Sequence, residues 1–269
     1  MYEQTLKRIS EVLIQQGVVI SNPGLLHGKM GLVVFFLHYA KYTGDKSYED
    51  YATVLMDSIQ DIIMQQHVIN YADGLAGIGI AVEYLTQNNF VEVNTNEVLG
   101  HFDKKIFLET VYGDRKNAGL FTGLSGLGRY FLFRVTGDCT KGNHIGTLYN
   151  KMSLIHITDI FERMCHSIKK TEIEDVLRFL FEMKQINIYP NKVMRLLNCF
   201  SKCNLPSNQY DMMRQYQNNM EELYGGKYNR LIKNTHWDTE PGLYGGLAGI
   251  GLYLLGKLDK QHETWMKLI

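Results

Sequence analysis

A glycine-rich motif occurs four times in this chain, and each copy leads directly into a run of apolar residues. The copies are GLLHGKMGLVVFFL (24–37), YADGLAGIGIAVEYL (71–85), GLFTGLSGLGRYFLF (119–133) and GLYGGLAGIGLYLL (242–255). Three copies share the frame Gly-Leu-x-x-Gly-x-x-Gly, and the second copy keeps only the last two glycines. Because a glycine inside a helix costs about 1 kcal/mol relative to alanine, close packing or special loop geometry must offset that cost.

One glycine of each copy is taken as its motif glycine: Gly28, Gly74, Gly123 and Gly246. The spacing of these glycines predicts a repeat architecture. Gly28 and Gly74 are 46 residues apart, Gly74 and Gly123 are 49 apart, and Gly123 and Gly246 are 123 apart. The last interval corresponds to about two and a half periods of such a repeat. Within it, the segment 138–235 has either lost the glycine signature or been rebuilt.

Each repeat contains two kinds of predicted helix. The stretch YEDYATVLMDSIQDIIMQQ (48–66) has apolar residues at steps of three and four, which indicates an amphipathic helix. The run after the first motif, LVVFFLHYAKY (32–42), is apolar on nearly every face and must be buried all round. The best strand signal, FVEVNTNEV (90–98), is interpreted as a loop that enters a helix. Apolar helices bury one another most simply as an inner ring, so we predict an all-α fold, an α/α toroid of five to six hairpins.

The position of the glycines at the predicted helix starts suggests two roles. Glycines three residues apart share one helix face, where neighbouring backbones can approach closely. The first glycine of the frame suits a loop residue with positive φ. A phosphate-binding loop is the alternative, but the preceding strand and the Lys-Ser/Thr pair of such loops are missing.

Composition narrows the function classes. A chain of 269 residues with 45% hydrophobic content can bury a large core, and we predict one domain over 1–269 with 138–235 as its degenerate segment. Equal numbers of basic and acidic residues, 28 each, leave no basic footprint for nucleic acid. The apolar run 30–40 is too short to span a bilayer, and the first residues lack the apolar block of a signal peptide. We therefore expect a cytoplasmic protein.

The repeated frame, its regular spacing and the closing PGLYGGLAGIGLYLL (241–255) resemble the lanthionine synthetase C-like family. The resemblance covers 1–137 and about 238–258. It implies an α/α toroid, usually with more hairpins in a longer chain. Enzymes of this family close thioether rings in ribosomally made peptides, such as lantibiotics, by adding a cysteine thiol to a dehydrated serine or threonine. A zinc ion held by two cysteines and one histidine activates the thiol.

The resemblance also implies where the zinc ligands belong. In the family the zinc ligands come from two repeats, one containing Trp-Cys-x-Gly and the other Cys-His-Gly, so the cysteines lie two positions before the repeat glycine and the histidine lies one position before it. The part of the family pattern that holds these two repeats falls in the degenerate segment 138–235 of this chain. The corresponding pairs in this chain are Leu26 and His27, Ala72 and Asp73, Phe121 and Thr122, and Tyr244 and Gly245. Cysteine occupies none of these positions, and His27 alone matches a ligand type. We therefore expect neither zinc nor another cofactor at these positions.

The degenerate segment offers an alternative source of zinc ligands. It holds all four cysteines of the chain: Cys139, Cys165, Cys199 and Cys203. Cys165 precedes His166 in a stretch that we interpret as the middle of a helix, and Ser167 stands where the family has glycine. Cys199 and Cys203 are four residues apart on one predicted helix face, and with a histidine they could bind zinc with one position open. Inert cysteines that behave as small apolar residues are the other interpretation.

Residues just before the inner helices would surround one mouth of a toroid. The candidates at this rim are His27, Asp73, Thr122, Tyr244, His236 and Trp237. An imidazole and a carboxylate there could perform general acid–base chemistry, whereas Asp73 and Thr122 could instead cap helix N-termini. Trp237 could grip a peptide or anchor packing. His38 lies inside an apolar run and is expected to be a hydrogen-bonded core histidine.

Three functions remain open at this point. The favoured one is a zinc-less pseudo-cyclase, a scaffold that binds a precursor peptide or a partner modification enzyme. The second is an active zinc-dependent cyclase that uses the cysteines of 138–235. The third is an α/α-toroid carbohydrate-active enzyme, for which Asp73 with Glu240 or Asp238 is a nominal carboxylate pair.

Overall fold

The computed structural model describes residues 1–63, 68–113, 117–139, 144–200, 209–234, 237 and 239–269, and this part of the chain is helical without a strand. The α-helices are α1 (Tyr2–Val19), α2 (Lys29–Thr43), α3 (Lys46–Ile63), α4 (Leu75–Gln87), α5 (Thr95–Tyr112), α6 (Leu124–Cys139), α7 (His144–Met164), α8 (Ile173–Gln185), α9 (Pro190–Phe200), α10 (Gln209–Leu231) and α11 (Leu247–Leu258). A 3₁₀ turn, Lys170–Glu172, precedes α8, and a 3₁₀ segment, Lys260–Leu268, follows α11. None of the helices in these ranges combines the length and the apolar character needed to cross a bilayer.

The predicted alternation of helix types is confirmed in the motif-bearing repeats. In each of them the apolar helix begins directly after the motif glycine, as in α2 after Gly28 and α11 after Gly246. Every residue from Lys29 to Ala40 in α2 is buried, whereas α3 buries a single stripe formed by Ala52, Leu55 and Ile59. The helix that is apolar on every face is therefore buried on all sides, and the amphipathic helix is buried along one stripe, as their hydrophobic periodicity predicts.

The stretch 90–98 enters a helix, as predicted. Helix α5 begins at Thr95, and Asn94 is its N-cap. The Asn94 side chain accepts a hydrogen bond from the Asn96 amide at 3.2 Å. This cap satisfies one of the free N–H groups at the helix start, which explains why an alternating segment stops here without forming a strand.

The four motif loops close on the same backbone hydrogen bond, in which an amide in the first turn of the helix donates to a carbonyl seven residues earlier. The pairs are Met30 to Pro23 (3.3 Å), Ala76 to Ile69 (3.2 Å), Ser125 to Ala118 (3.3 Å) and Ala248 to Pro241 (3.1 Å). The motif glycine lies inside this turn, so a Cβ on Gly28 would overlap the carbonyl oxygen of Asn22. Glycine is required there because the loop folds back on its own backbone.

The expectation of a positive φ at the first glycine of the frame is wrong. Among the glycines of the described ranges, positive φ occurs at Gly44 (71°) and Gly245 (66°). Gly24, the first glycine of the first frame, instead touches another loop, since a Cβ there would lie 2.8 Å from the carbonyl carbon of Asp73. Close approach of two backbones, rather than left-handed geometry, explains this glycine.

The last glycine of the frame packs against a neighbouring loop in the first and third copies. A Cβ on Gly31 would lie 2.9 Å from Cβ of Leu243, and a Cβ on Gly126 would lie 2.6 Å from Cβ of Tyr71. Leu243 and Tyr71 each stand three residues before their own motif glycine, so the two contacts are equivalent. The close approach predicted for these glycines is therefore present, but between loop and glycine rather than between two helix backbones.

A further glycine, five residues after the motif glycine, receives an aromatic ring from another apolar helix. A Cβ would approach ring carbons as follows: Gly79 to Tyr130 (2.5 Å), Gly128 to Phe179 (2.5 Å) and Gly251 to Phe35 (2.8 Å). Each of these glycines leaves a notch in its helix surface that an aromatic ring fills. This close packing offsets part of the helix-propensity cost of the glycines.

The described residues form two compact units. Unit 1 comprises Met1–Val68, Ala72–Gly74 and Tyr216–Ile269, and in it α2 packs on α3 and α11 while α1 packs on α11. Unit 2 comprises Ile69–Tyr71 and Leu75–Gln215, and in it α6 packs on α4, α7 and α8.

Candidate functional site

Three motif loops meet in unit 1 through backbone hydrogen bonds. The amide of Tyr244 donates to the Leu26 carbonyl at 3.0 Å, and the amide of Leu26 donates to the Ala72 carbonyl at 2.8 Å. All three residues stand two positions before their motif glycine, so equivalent positions of three repeats are joined in series. Leu26 and Ala72 are buried, whereas Tyr244 is half-buried.

His27 and Asp73 form the polar centre of these loops. Nδ1 of His27 lies 3.1 Å and 3.2 Å from the two carboxylate oxygens of Asp73. The side-chain amide of Asn22 donates to Asp73 Oδ1 at 2.8 Å and so helps to fix the carboxylate. With Nδ1–H donating to Asp73, the other ring nitrogen of His27, Nε2, can accept a hydrogen bond from a bound group. The side chains of His27 and Asp73 are 50% and 36% exposed, so solvent and ligands reach the pair.

A pocket of about 380 Å³ adjoins the fourth motif loop, with Lys227, Arg230, Glu240 and Gly245 in its lining. The ammonium group of Lys227 donates to the Gly245 carbonyl. A Cβ on Gly245 would lie 2.8 Å from Lys227 Nζ, and its φ of 66° is also unfavourable for other residues. Glycine at this position therefore keeps the cation against the loop, and a second cation, Arg230, lies one helical turn away.

The environment of Trp237 favours a packing role. The guanidinium carbon of Arg8 lies 4.3 Å from the centre of the Trp237 ring, which is the geometry of a cation–π contact. The indole Nε1 of Trp237 is buried without a hydrogen-bond partner. The neighbouring candidate His236 and the acid Asp238 lie outside the described residues.

Thr122 belongs to unit 2 and is held inside its own loop. Its hydroxyl accepts a hydrogen bond from the side-chain amide of Asn117 at 2.9 Å. Asn117 also accepts a hydrogen bond from the Gly119 amide at 2.8 Å, the same turn that Asn22 forms with Gly24 in the first loop. Sequence reasoning missed these asparagines, although both stand six residues before a motif glycine.

The family's zinc-ligand positions do not fit a zinc centre in this chain. Leu26, Ala72, Phe121 and Tyr244 occupy the cysteine positions, and their side chains carry no thiolate. His27 has Asp73 as its neighbour, which makes two potential ligands rather than three. Across the ranges that the structure describes, no three side chains of His, Cys, Asp or Glu lie close enough together to hold a metal ion.

The cysteines of the degenerate segment are placed as follows. Helix α7 ends at Met164, so Cys165 and His166 lie in the turn after it, and the interpretation of this stretch as the middle of a helix is wrong. Cys165 and Cys199 are free thiols, half-buried and exposed respectively. Cys203 and the side chain of Cys139 lie outside the described residues.

A further repeat, without the glycine signature, lies at α8. Phe179 fills the notch at Gly128, as Tyr130 fills the notch at Gly79, and Tyr130 stands seven residues after its motif glycine. Counting back seven residues from Phe179 gives Glu172, which is 49 residues after Gly123. Applying the repeat period without requiring glycine would have found this unit.

Carboxylates replace the glycine contacts in this repeat. Oε2 of Glu172 accepts a hydrogen bond from the Ala118 amide at 3.3 Å, and Oδ2 of Asp175 accepts one from the Leu120 amide at 2.8 Å. Burial raises the pKa of the Asp175 carboxyl, and the hydrogen bond from Leu120 opposes that shift. The two acids tie the third motif loop to α8.

The prediction for His38 is confirmed. Its Nδ1 lies 2.9 Å from Nδ1 of His262, and both residues are fully buried. Burial, with smaller contributions from the nearby His262 and Lys41, lowers the pKa of His38 to about 3. Burial also lowers the pKa of His262, so both rings are neutral, and the Nδ1–H of one donates a hydrogen bond to Nδ1 of the other.

Comparisons with known proteins identify relatives of this chain. The sequence model of the lanthionine synthetase C-like protein family matches residues 19–174. Among solved structures, nisin cyclase is similar with a TM-score of 0.50 over 97% of each chain, at 10% sequence identity. At that identity the likeness shows the fold alone, and it confirms the predicted all-α, α/α-toroid class. No curated protein sequence matches the chain significantly.

Proposed function

Because the chain belongs to the lanthionine synthetase C-like family, we propose that it binds a peptide during maturation of a ribosomally synthesised product, as a zinc-less relative of the thioether-forming cyclases. The observation that carries the proposal is the apolar occupation of the cysteine positions. Leu26 and Ala72 are 0% and 4% exposed, and a backbone hydrogen bond joins them. Buried alkyl groups cannot activate a thiol, so a binding or scaffold role fits these residues better than metal-assisted addition.

The polar groups of unit 1 suit recognition of a peptide. The imidazole of His27, braced by Asp73, offers Nε2 to a peptide amide, hydroxyl or thiol. The pocket at the fourth loop presents two cations, Lys227 and Arg230, and one acid, Glu240; this excess of positive charge suits an acidic side chain or a carboxyl terminus. The partner is therefore expected to be a precursor peptide with an acidic segment, or a modification enzyme that presents such a segment.

Binding of synthetic precursor peptides encoded in the same gene neighbourhood tests the proposal. Fluorescence anisotropy with labelled peptides should give saturable binding, weakened roughly fivefold to tenfold by His27→Ala, which removes one hydrogen bond to a charged or polar group. His101→Ala is the matched control, because His101 is an exposed histidine of α5 in unit 2. Equal binding by both variants, or no binding of any peptide, contradicts the proposal.

Metal analysis separates this function from that of an active cyclase. The protein purified without added chelator should contain far less than one zinc per chain, and it should not close thioether rings in a dehydrated peptide. A stoichiometric zinc that is lost in the Cys199→Ala variant, together with ring closure, would instead establish the cysteines of 138–235 as the zinc ligands of a working cyclase.

A further inference from the structure

We infer that unit 2 carries a second binding site, a pocket between α5, α6 and α7 that takes an uncharged aromatic ring with a hydroxyl group, a phenol. The pocket encloses about 430 Å³, within the usual range for small-molecule sites. Its lining includes Gly100, Asp103, Phe107, Phe131, Tyr149 and Asn150. None of these residues belongs to a motif loop, so the site is independent of the proposed function.

Small residues open the pocket. Gly100 of α5 and Gly146 of α7 both line it, and a Cβ on Gly100 would meet no atom within 4 Å. Glycine inside a helix is less favourable than alanine, and no contact at Gly100 requires it. The empty space at this position is therefore a mouth through which a ligand could enter.

An unpaired donor lines the pocket. Asn150 is 1% exposed, and its Nδ2 is buried without a hydrogen-bond partner. Buried amide groups nearly always have a partner, so an isolated one calls for an acceptor that the chain itself does not supply. An oxygen atom of a bound ligand would satisfy it.

The charges around the pocket are balanced. Arg134 donates to Asp103 at 2.9 Å and also pairs with the buried carboxylate of Glu83. The exposed cation Lys104 lines the same pocket, whereas Glu83 lies outside the lining; Asp103 and Glu83 together balance the charges of Arg134 and Lys104. An ionic ligand would find no net countercharge, and burying it would be costly, which favours an uncharged ligand.

The remaining wall defines the ligand's shape and its donor. Phe107 is half-buried and Tyr149 is 59% exposed, so the pocket offers aromatic surface for stacking or edge contacts. The Asp103 carboxylate accepts hydrogen bonds from Tyr130 and Arg134, and because its side chain is 20% exposed its open face can accept one more from a ligand. A phenol meets these demands, because its ring contacts Phe107 and Tyr149 while its hydroxyl accepts from Asn150 and donates to Asp103.

Ligand-observed NMR with 4-methylphenol and toluene tests the assignment. Wild-type protein should bind 4-methylphenol roughly fivefold to tenfold more tightly than toluene, the difference expected for a net buried hydrogen bond. Asn150→Leu should remove this preference while unfolding at the same urea concentration or a higher one, because it replaces an unpaired polar group by an apolar one. Gly100→Phe should abolish binding of both probes, whereas Gly100→Ala, the control, should retain it.

Comparison of two phenols as ligands identifies the source of the phenol that the pocket binds. N-acetyltyrosinamide represents a tyrosine side chain of a peptide; if it binds more tightly than 4-methylphenol and depends on Gly100, the ligand is a peptide side chain. If 4-methylphenol binds more tightly, the ligand is a free small molecule, and either result supports the pocket. Binding that is unchanged in Gly100→Phe, or no preference of wild-type protein for 4-methylphenol over toluene, overturns it.

Discussion

Replacing Gly249 by alanine should destabilise the protein despite the higher helix propensity of alanine. Gly249 lies in the first turn of α11, where a Cβ would overlap the Leu243 carbonyl oxygen and lie 2.5 Å from a ring carbon of Tyr224. The Leu243 carbonyl cannot move without consequence, because it accepts a buried hydrogen bond from the Tyr224 hydroxyl at 2.9 Å. The substitution therefore overpacks this turn and pushes the Leu243 carbonyl away from the Tyr224 hydroxyl.

The expected loss is about 1 to 5 kcal/mol in the free energy of unfolding. Overpacking of a tight interior typically costs about 1 to 3 kcal/mol. Leaving the Tyr224 hydroxyl without its acceptor adds about 1 to 3 kcal/mol, and alanine returns at most about 1 kcal/mol through helix propensity. The propensity gain is the smallest of these contributions, so the sign of the change is set by the contact with Leu243.

Urea denaturation followed by circular dichroism measures this loss as a shift in the midpoint at constant slope. Gly226→Ala is the matched control, since Gly226 lies in α10 and a Cβ there would meet no atom within 4 Å. The control should gain up to about 1 kcal/mol. If Gly249→Ala unfolds within about 0.5 kcal/mol of wild type, the size of an ordinary surface effect, the steric account of the motif glycines is refuted.

Three further outcomes follow from buried polar groups. Because burial lowers the native pKa of His38 to about 3 from 6.5, its stabilising neutral form is fully present above pH 6.5. Unfolding free energy should therefore fall by on the order of 4 kcal/mol between pH 6.5 and 3, as urea titrations across pH will measure, and His38→Leu should flatten this slope. Glu83→Gln should cost about 3 kcal/mol by urea denaturation, because it leaves the buried Arg134 guanidinium with one of its two carboxylates. Asp175→Ala should cost about 1 to 3 kcal/mol, whereas Asp175→Asn, which keeps an acceptor for Leu120, should be as stable as wild type at pH 7, since the raised pKa marks a cost of ionisation.

Helix boundaries in the motif-bearing repeats could be predicted because the signals are local. The stripe of α3 and the complete burial of α2 follow from hydrophobic periodicity, which depends on neighbours in sequence alone. The pairing of His27 with Asp73 was accessible too, since both residues stand one position before a motif glycine in successive repeats. Equivalent positions of adjacent repeats meet in space, and this placed two rim candidates in contact.

Features that depend on contacts between distant parts of the chain could not be predicted from the sequence. No pattern marks Asn150 as an unpaired donor, because its isolation is set by what α5 and α6 place around it. The contact of Gly24 with Asp73 likewise depends on how two loops approach each other, whereas a positive φ would have been a property of one residue. The sequence therefore marks Gly24 as a required glycine, but the requirement comes from its contact with Asp73 and not from its backbone conformation.

The α8 repeat shows why the glycine signature can disappear without loss of the packing it serves. In the motif-bearing repeats glycine is required because the loop folds back on its own carbonyl groups before the helix begins. Before α8 a 3₁₀ turn, Lys170–Glu172, stands in place of that loop, so a side chain at Glu172 is tolerated and its carboxylate accepts the hydrogen bond from Ala118. What persists is Phe179, whose ring fills the notch at Gly128. The repeat is thus maintained by ring-into-notch packing between helices, and the loop glycines are needed only where the backbone returns on itself.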